Sequence, residues 1–155
     1  DLTVPDVPGA ARLATLDDLD LLSRWRTDFA EEATVQTADV NSVERSRLML
    51  EISMAAGNGQ LIWYQGDTPV AWAGASAPAS GMSRIGPVYT PPEHRRHGYG
   101  AAVTAACASW AREHGAEHVV LYTDLANPTS NSIYQRIGFR AVVDSAEFVF
   151  TPAGG

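Results

Sequence analysis

The chain has no lysine: eleven arginines face eighteen acids among its 155 residues, for a formal net charge of −7. Nucleic-acid binding rests on many Lys and Arg contacts to phosphate, so an acidic chain of this kind is not expected to bind nucleic acid. The missing lysine also excludes the Walker phosphate loop, which ends in Gly-Lys-Ser/Thr. Cysteine is almost absent as well. Cys107 alone cannot form an internal disulfide, and nothing points to a thiolate metal site or an oxidising compartment. No run of eighteen apolar residues occurs, and Asp1-Leu2-Thr3-Val4-Pro5 has neither the basic nor the apolar region of a secretory signal. A soluble, cytoplasmic protein without a membrane partner is the expectation.

What is present suits one compact domain: 45% of residues are hydrophobic and 19% charged. Residues 1–10, with Pro5, Pro8 and Gly9, read as a linker, 11–150 as a single domain and 151–155 as a tail. The linker-like opening leaves open that the chain is the C-terminal domain of a longer protein.

Periodicity and punctuation give the elements. Ala11–Ala14 reads as a short strand. Thr15 with Asp18 makes a capping-box start for a first helix carrying Leu19, Leu22, Trp25 and Phe29 on one face. Asn41 with Glu44 starts a second, with Val43, Leu48, Leu50, Ile52 and Met54, stopped by Gly57 and Gly59. Leu61–Tyr64 and Val70–Ala75 form a hairpin about Gly66-Asp67. A third strand, Arg84–Thr90, contains Gly86-Pro87, and since proline cannot donate to a ladder, an edge or a bulge is expected there. Gly98-Tyr99-Gly100 opens a third helix that runs to Gly115, with Val103, Ala106, Cys107 and Trp110 at helical spacing. His118–Tyr122 is a short strand, Asn127-Pro128 caps a fourth helix ending at Gly138, and Phe139–Phe150 closes as a hairpin. The order is α/β, and ligands in such sheets favour the carboxyl ends of strands.

The local chemistry concentrates in Val88-Tyr89-Thr90-Pro91-Pro92-Glu93-His94-Arg95-Arg96-His97-Gly98-Tyr99-Gly100, a strand, a basic loop and a helix start. The first amides of a helix lack internal partners and lie at the positive end of its dipole, so such a loop can wrap a diphosphate. Gly98 and Gly100 allow the backbone to approach closely. Arg95 and Arg96 add charge from the loop or screen it from outside. A dinucleotide fingerprint would need a third glycine where Val103 stands. The alternative is a plain glycine turn with a solvated basic loop.

Arg95-Arg96-His97-Gly98-Tyr99-Gly100 resembles the pyrophosphate loop of the GNAT acyltransferase superfamily, Gln/Arg-x-x-Gly-x-Gly/Ala. A second block, Asp124 to Phe139, resembles that family's later motif: Asn127 at a helix start, Tyr134 seven residues on, then Gly138-Phe139. The two stand in order, 27 positions apart from Gly100 to Asn127. The resemblance implies a mixed, mostly antiparallel sheet of six to seven strands, splayed at its centre, with four helices on both faces.

It further implies acetyl-CoA as cosubstrate and no metal. The stretch Val88, Tyr89, Thr90 would meet the pantetheine arm, and the amides of Arg95, Arg96, His97, Gly98, Tyr99, Gly100 and Ala101 the diphosphate. Asn127, with Ser130 and Asn131 beside it, would reach the pantetheine amides, and Tyr134 would point at the coenzyme sulfur and protonate the departing thiolate. The activity implied is N-acetylation of a primary amine on a small molecule or peptide, by direct attack on the thioester.

Many relatives carry a glutamate on the third strand, where this chain has only Arg84. Glu31 and Glu32, or Asp28, are candidate bases acting through water; Glu93 and His94 are further ones, and solvated helix charge is the alternative for the acids on the first helix. The first sixty positions hold 11 acids against 5 arginines, which favours a cationic acceptor. Rival readings are a non-catalytic CoA-sensing or partner-binding module, and an acyltransferase using another acyl-CoA or a hydroxyl acceptor. His94 and His97 lack a third ligand pattern for metal. Cys107 and the tryptophans are expected in the core, although Trp25 or Phe29 could wall the acceptor pocket. A homodimer is left open, with no legible interface.

Overall fold

The computed structural model describes residues 5–34, 42–122, 139–141 and 147–150. Seven strands form one sheet: β1 (Ala10–Leu13), β2 (Gly59–Gln65), β3 (Thr68–Ala75), β4 (Met82–Tyr89), β5 (His118–Tyr122), β6 (Arg140–Ala141) and β7 (Glu147–Phe150). Their order is β1-β2-β3-β4-β5-β7-β6, antiparallel throughout except for β4 beside β5. Three helices are described, α1 (Leu19–Thr34), α2 (Ser42–Ala55) and α3 (Tyr99–Glu113). The fourth expected helix lies outside the described residues.

The alternation of side chains along the strands sets two cores, one on each face of the sheet. On β2, Leu61 and Trp63 face α3, while Ile62 faces α1 and α2. The α3 face is built from small residues. Ala102, Ala105, Ala108 and Ala111 on the helix meet Ala71, Ala73 and Ala75 on β3, with Val103, Ile85, Val119, Leu121 and Phe139 filling the remainder. The opposite face is built from large ones: Leu19, Leu22 and Trp25 of α1 and Leu50 of α2 cover Ile62, Trp72 and Tyr89. Trp72 is fully buried and donates to Gln60 Oε1 at 2.8 Å, which satisfies its indole N–H.

The sequence expectations hold with local corrections. Thr15 and Asp18 do form a reciprocal capping box, but it closes a 3-10 turn, Leu16–Asp18, that leads into α1. Gly66-Asp67 turns the β2–β3 hairpin. Of the apolar residues of α2 only Leu50 is buried; Val43, Leu48 and Ile52 are exposed. The cause is their phase: at 100° per residue Leu48 and Ile52 fall opposite Leu50 and Met54. Asn41, the expected cap of this helix, lies outside the described residues. Trp25, Trp63 and Trp72 are core residues as expected, whereas Trp110 is only half-buried and stacks on His114 with centroids 4.2 Å apart.

The proline in β4 makes a bulge and not an edge. Ala73 pairs with Val88 but its neighbour Gly74 pairs with Gly86, which leaves Pro87 as the extra residue in an interior strand. On the other side of β4 the parallel ladder to β5 runs from Met82↔His118 to Ile85↔Leu121 and stops. Tyr122 goes on to pair with Glu147 of β7, whereas Gly86 to Tyr89 have no partner on β5. The two central strands therefore part at their carboxyl ends.

Candidate functional site

The loop after β4 sits at this parting. Pro92–His94 form a 3-10 turn, Arg95 is extended at ψ 160°, Arg96 takes φ +68°, and Gly98 takes φ +82° directly before α3. A non-glycine residue at positive φ is uncommon and marks a backbone held by its surroundings. Left-handed residues next to a helix start turn successive N–H groups toward one side, the geometry of an anion-binding nest. Among the described residues, backbone acceptors in this segment resume only where Ala102 N–H donates to Gly98 O at 3.0 Å, so the amides of Arg96 through Ala101 have none. The dipole of the fifteen-residue α3 adds its positive end at the same place.

The side chains brace this loop. Tyr99 is buried and donates its hydroxyl to Gln65 Oε1 at 2.7 Å, and its ring stacks against His97 at 5.4 Å. His97 Nδ1 lies 3.1 Å from the His94 carbonyl. Gly100 closes against the end of β4: a Cβ there would stand 3.4 Å from Thr90 Oγ1 and 3.9 Å from Val88 Cγ1. A side chain larger than methyl would enter the space between loop and strand. At Gly98 the limit is conformational, since φ +82° disfavours any side chain, and a Cβ would also meet Val7 Cγ2 at 3.2 Å.

Arg95 is placed differently from a free phosphate-binding cation. Its Nη2 donates to both Glu32 oxygens, at 2.8 and 2.7 Å, its Nε donates to the Thr90 carbonyl at 2.8 Å, and the guanidinium lies 5.9 Å from the Tyr89 ring centroid. The Tyr89 ring is buried against Trp25 of α1, centroids 6.1 Å apart. Sequence reading placed Glu32 and Arg95 at two separate tasks; the structure joins them across 63 positions, a pairing no local pattern could reveal.

Around Tyr89 the charge is acidic. Burial, then Glu32 and Asp28, hold its hydroxyl above its ordinary range, with Arg95 opposing them. Asp28 is itself raised, by desolvation first and then by Glu31 and Glu32, with Arg24 pulling the other way. Glu31 is exposed one turn along α1 from Asp28. Asn127, Ser130, Asn131 and Tyr134 lie outside the described residues. Cys107 is fully buried on α3, its thiol pushed up by desolvation and donating to Ala73 O at 3.3 Å, as a packing residue.

A central sheet parted at one end, with an amide-lined loop and a helix start at the parting, defines an α/β protein whose strand ends suit a phosphate-bearing ligand. The sequence model of the acetyltransferase (GNAT) family matches residues 20–139, and the chain belongs to that family of acyl-CoA-dependent transferases. A mycothiol acetyltransferase of Thermobispora bispora is 28% identical over 151 residues, covering 89% of this chain and 49% of the relative, so the chain spans about half that protein's length. Two solved structures share the fold. A phosphinothricin acetyltransferase of Sinorhizobium meliloti, in complex with acetyl-CoA, superposes with a TM-score of 0.75 at 17% identity, covering 95% of this chain and 90% of that one. A ribosomal-protein-alanine N-acetyltransferase of Brucella melitensis gives 0.74 at 19% identity, covering 92% and 99%.

Proposed function

We propose that this chain moves an acetyl group from acetyl-CoA to an amine by direct attack. The observation that carries the reading is the row of amides from Arg96 to Ala101 without backbone acceptors, set where β4 leaves β5. Those amides fit a diphosphate, and the edge of β4 from Gly86 to Tyr89, unpaired on its β5 side, fits the amides of a pantetheine arm. Bound there, the coenzyme supplies a thioester carbonyl as acyl donor.

The chain's own groups then divide the work. Asn127, with Ser130 and Asn131, hydrogen-bonds the pantetheine amides, the role the family resemblance implies for them. The acceptor arrives over α1, where Asp28, Glu31 and Glu32 favour a cationic amine, which is the substrate class we infer. Asp28 and Glu31 pass the first proton of the cationic amine through water to solvent, leaving the neutral nucleophile; the second, lost from nitrogen after attack, makes good by way of solvent the proton that Tyr134 gives to the thiolate. Glu32 is already engaged by Arg95, which argues against it as the proton acceptor. As the new N–C bond forms and the C–S bond breaks, Tyr134 donates its hydroxyl proton to the thiolate. That the Thermobispora relative is a mycothiol acetyltransferase is in keeping with a small-molecule acceptor.

Calorimetric titration with acetyl-CoA, with CoA and adenosine for comparison, tests the first half. Binding that needs the diphosphate, lost in Gly98→Asp with the circular dichroism spectrum unchanged, is the expected result; equal affinity in that variant refutes the assignment. Tyr134→Phe should lower turnover by roughly 10²-fold or more while acetyl-CoA affinity holds. Undiminished turnover removes it from the reaction.

A further inference from the structure

Arg95 and Glu32 stand where two functions meet. Arg95 belongs to the loop whose amides face the proposed diphosphate, and Glu32 to the helix that walls the proposed acceptor side. Their contact is a two-point fork, Nη2 to both carboxylate oxygens at 2.8 and 2.7 Å, and the same guanidinium holds the last carbonyl before the loop, Thr90 O, through Nε at 2.8 Å. Three elements thus converge on one side chain: the C-terminal part of α1, the end of β4 and the loop. The residue after Arg95 is the one at φ +68°, so the chain bends into its amide-presenting shape directly beyond this anchor.

We propose that the Arg95–Glu32 pair is a positioning latch that holds the loop in its diphosphate-binding shape from α1, and so makes coenzyme affinity depend on an acidic side chain of the acceptor wall. This rests on the coenzyme reading above. The latch gives a sign opposite to that of simple charge. By charge alone, Glu32 next to an anion site is unfavourable, and Glu32→Gln should tighten binding of a diphosphate. A latch requires the reverse: loss of the carboxylate frees Arg95, the loop samples other shapes, and the amides must be ordered again on binding. Lysine at position 95 separates the two further, because it keeps the charge and can meet the carboxylate from its single nitrogen, yet has no second nitrogen to hold the Thr90 carbonyl as Arg95 Nε does.

The test is acetyl-CoA titration of the wild-type chain, Glu32→Gln, Arg95→Lys and the double variant, together with steady-state kinetics on an amine the wild type accepts. Each single variant is expected to bind acetyl-CoA about two- to fivefold more weakly, the range a half-exposed ion pair of good geometry supports. The double variant should be no weaker than the weaker single, because both changes break one contact. Because Glu32 also faces the acceptor, these kinetics are read at saturating amine: there the KM for acetyl-CoA should rise while kcat holds, whereas a Glu32 acting as base would lose kcat and keep that KM. Tighter or equal binding in Glu32→Gln, or wild-type affinity in Arg95→Lys, overturns the latch while the coenzyme reading stands. A wild-type chain that does not bind acetyl-CoA overturns both.

Discussion

Asp28 shows how one residue's surroundings set a measurable property. Burial and the nearby Glu31 and Glu32 make its charged form costly, so its folded pKa lies above the unfolded value. The folded state then holds a proton where the unfolded state has released it, and stability falls as pH rises through that window. Asp28→Asn should therefore raise Tm at neutral pH, by a small amount because the side chain is largely exposed. The gain should vanish as pH drops below the ordinary carboxylate value of about 3.9, where both states are protonated. Thermal melts across pH check this; a Tm lowered equally at all pH values would mean that the carboxylate holds a structural contact. At this scale the sequence was least legible. Glu31 and Glu32 are adjacent in sequence and of the same type, yet only Glu32 meets Arg95, and which of them does so depends on the packing of α1 against the sheet.

Among the elements, strands and helix stops were readable wherever a residue has no alternative. Gly66 and Gly98 take positive φ as their turn and cap require, and Pro87 lacks the N–H that a regular ladder needs. The element α2 was less readable because its apolar residues occur on more than one side. That gives a paired prediction. Leu50→Ala, at a site 3% exposed, should cost about 2–5 kcal/mol, while Leu48→Ala and Ile52→Ala stay within about 0.5 kcal/mol of wild type. Urea denaturation with an unchanged slope decides it. A large loss at Leu48 or Ile52 would show that this face is covered in solution. The parting of β4 from β5 was expected from Gly86-Pro87 and from the family resemblance together; the proline alone left an edge or a bulge open, and the interior place of β4 in the sheet decides for the bulge.

Over the whole molecule the net charge of −7 and the absence of lysine set a repulsive long-range field for an anionic coenzyme, against which the loop offers fixed amide dipoles. Screening acts on the first more than on the second. Between 0.01 and 0.15 M salt the Debye length falls from about 30 to about 8 Å, from beyond a domain's radius to within it. Acetyl-CoA association should therefore quicken as salt is added over this range, read by stopped-flow mixing. Slowing instead would mean that the positive cluster His94 to His97 governs encounter. Periodicity gave the α/β order of elements, while the sheet covered on both faces was expected from the family resemblance, which rested on two short motifs. The later motif, with Tyr134, lies outside the described residues except for its last residue, Phe139, which is buried in the core facing α3.

Sheet pairing is forgiving, since its bonds belong to the backbone and survive nearly any exchange of side chains. A gap between strands is for the same reason easily lost, because two bare edges side by side tend to zip together. Pro87 works against that at the point where β4 parts from β5 while keeping its pairing with β3: its nitrogen carries no hydrogen, and its ring fixes the local φ. At that position the strand lacks a hydrogen with which to zip, so the open side of this sheet is marked by an atom the chain does not have.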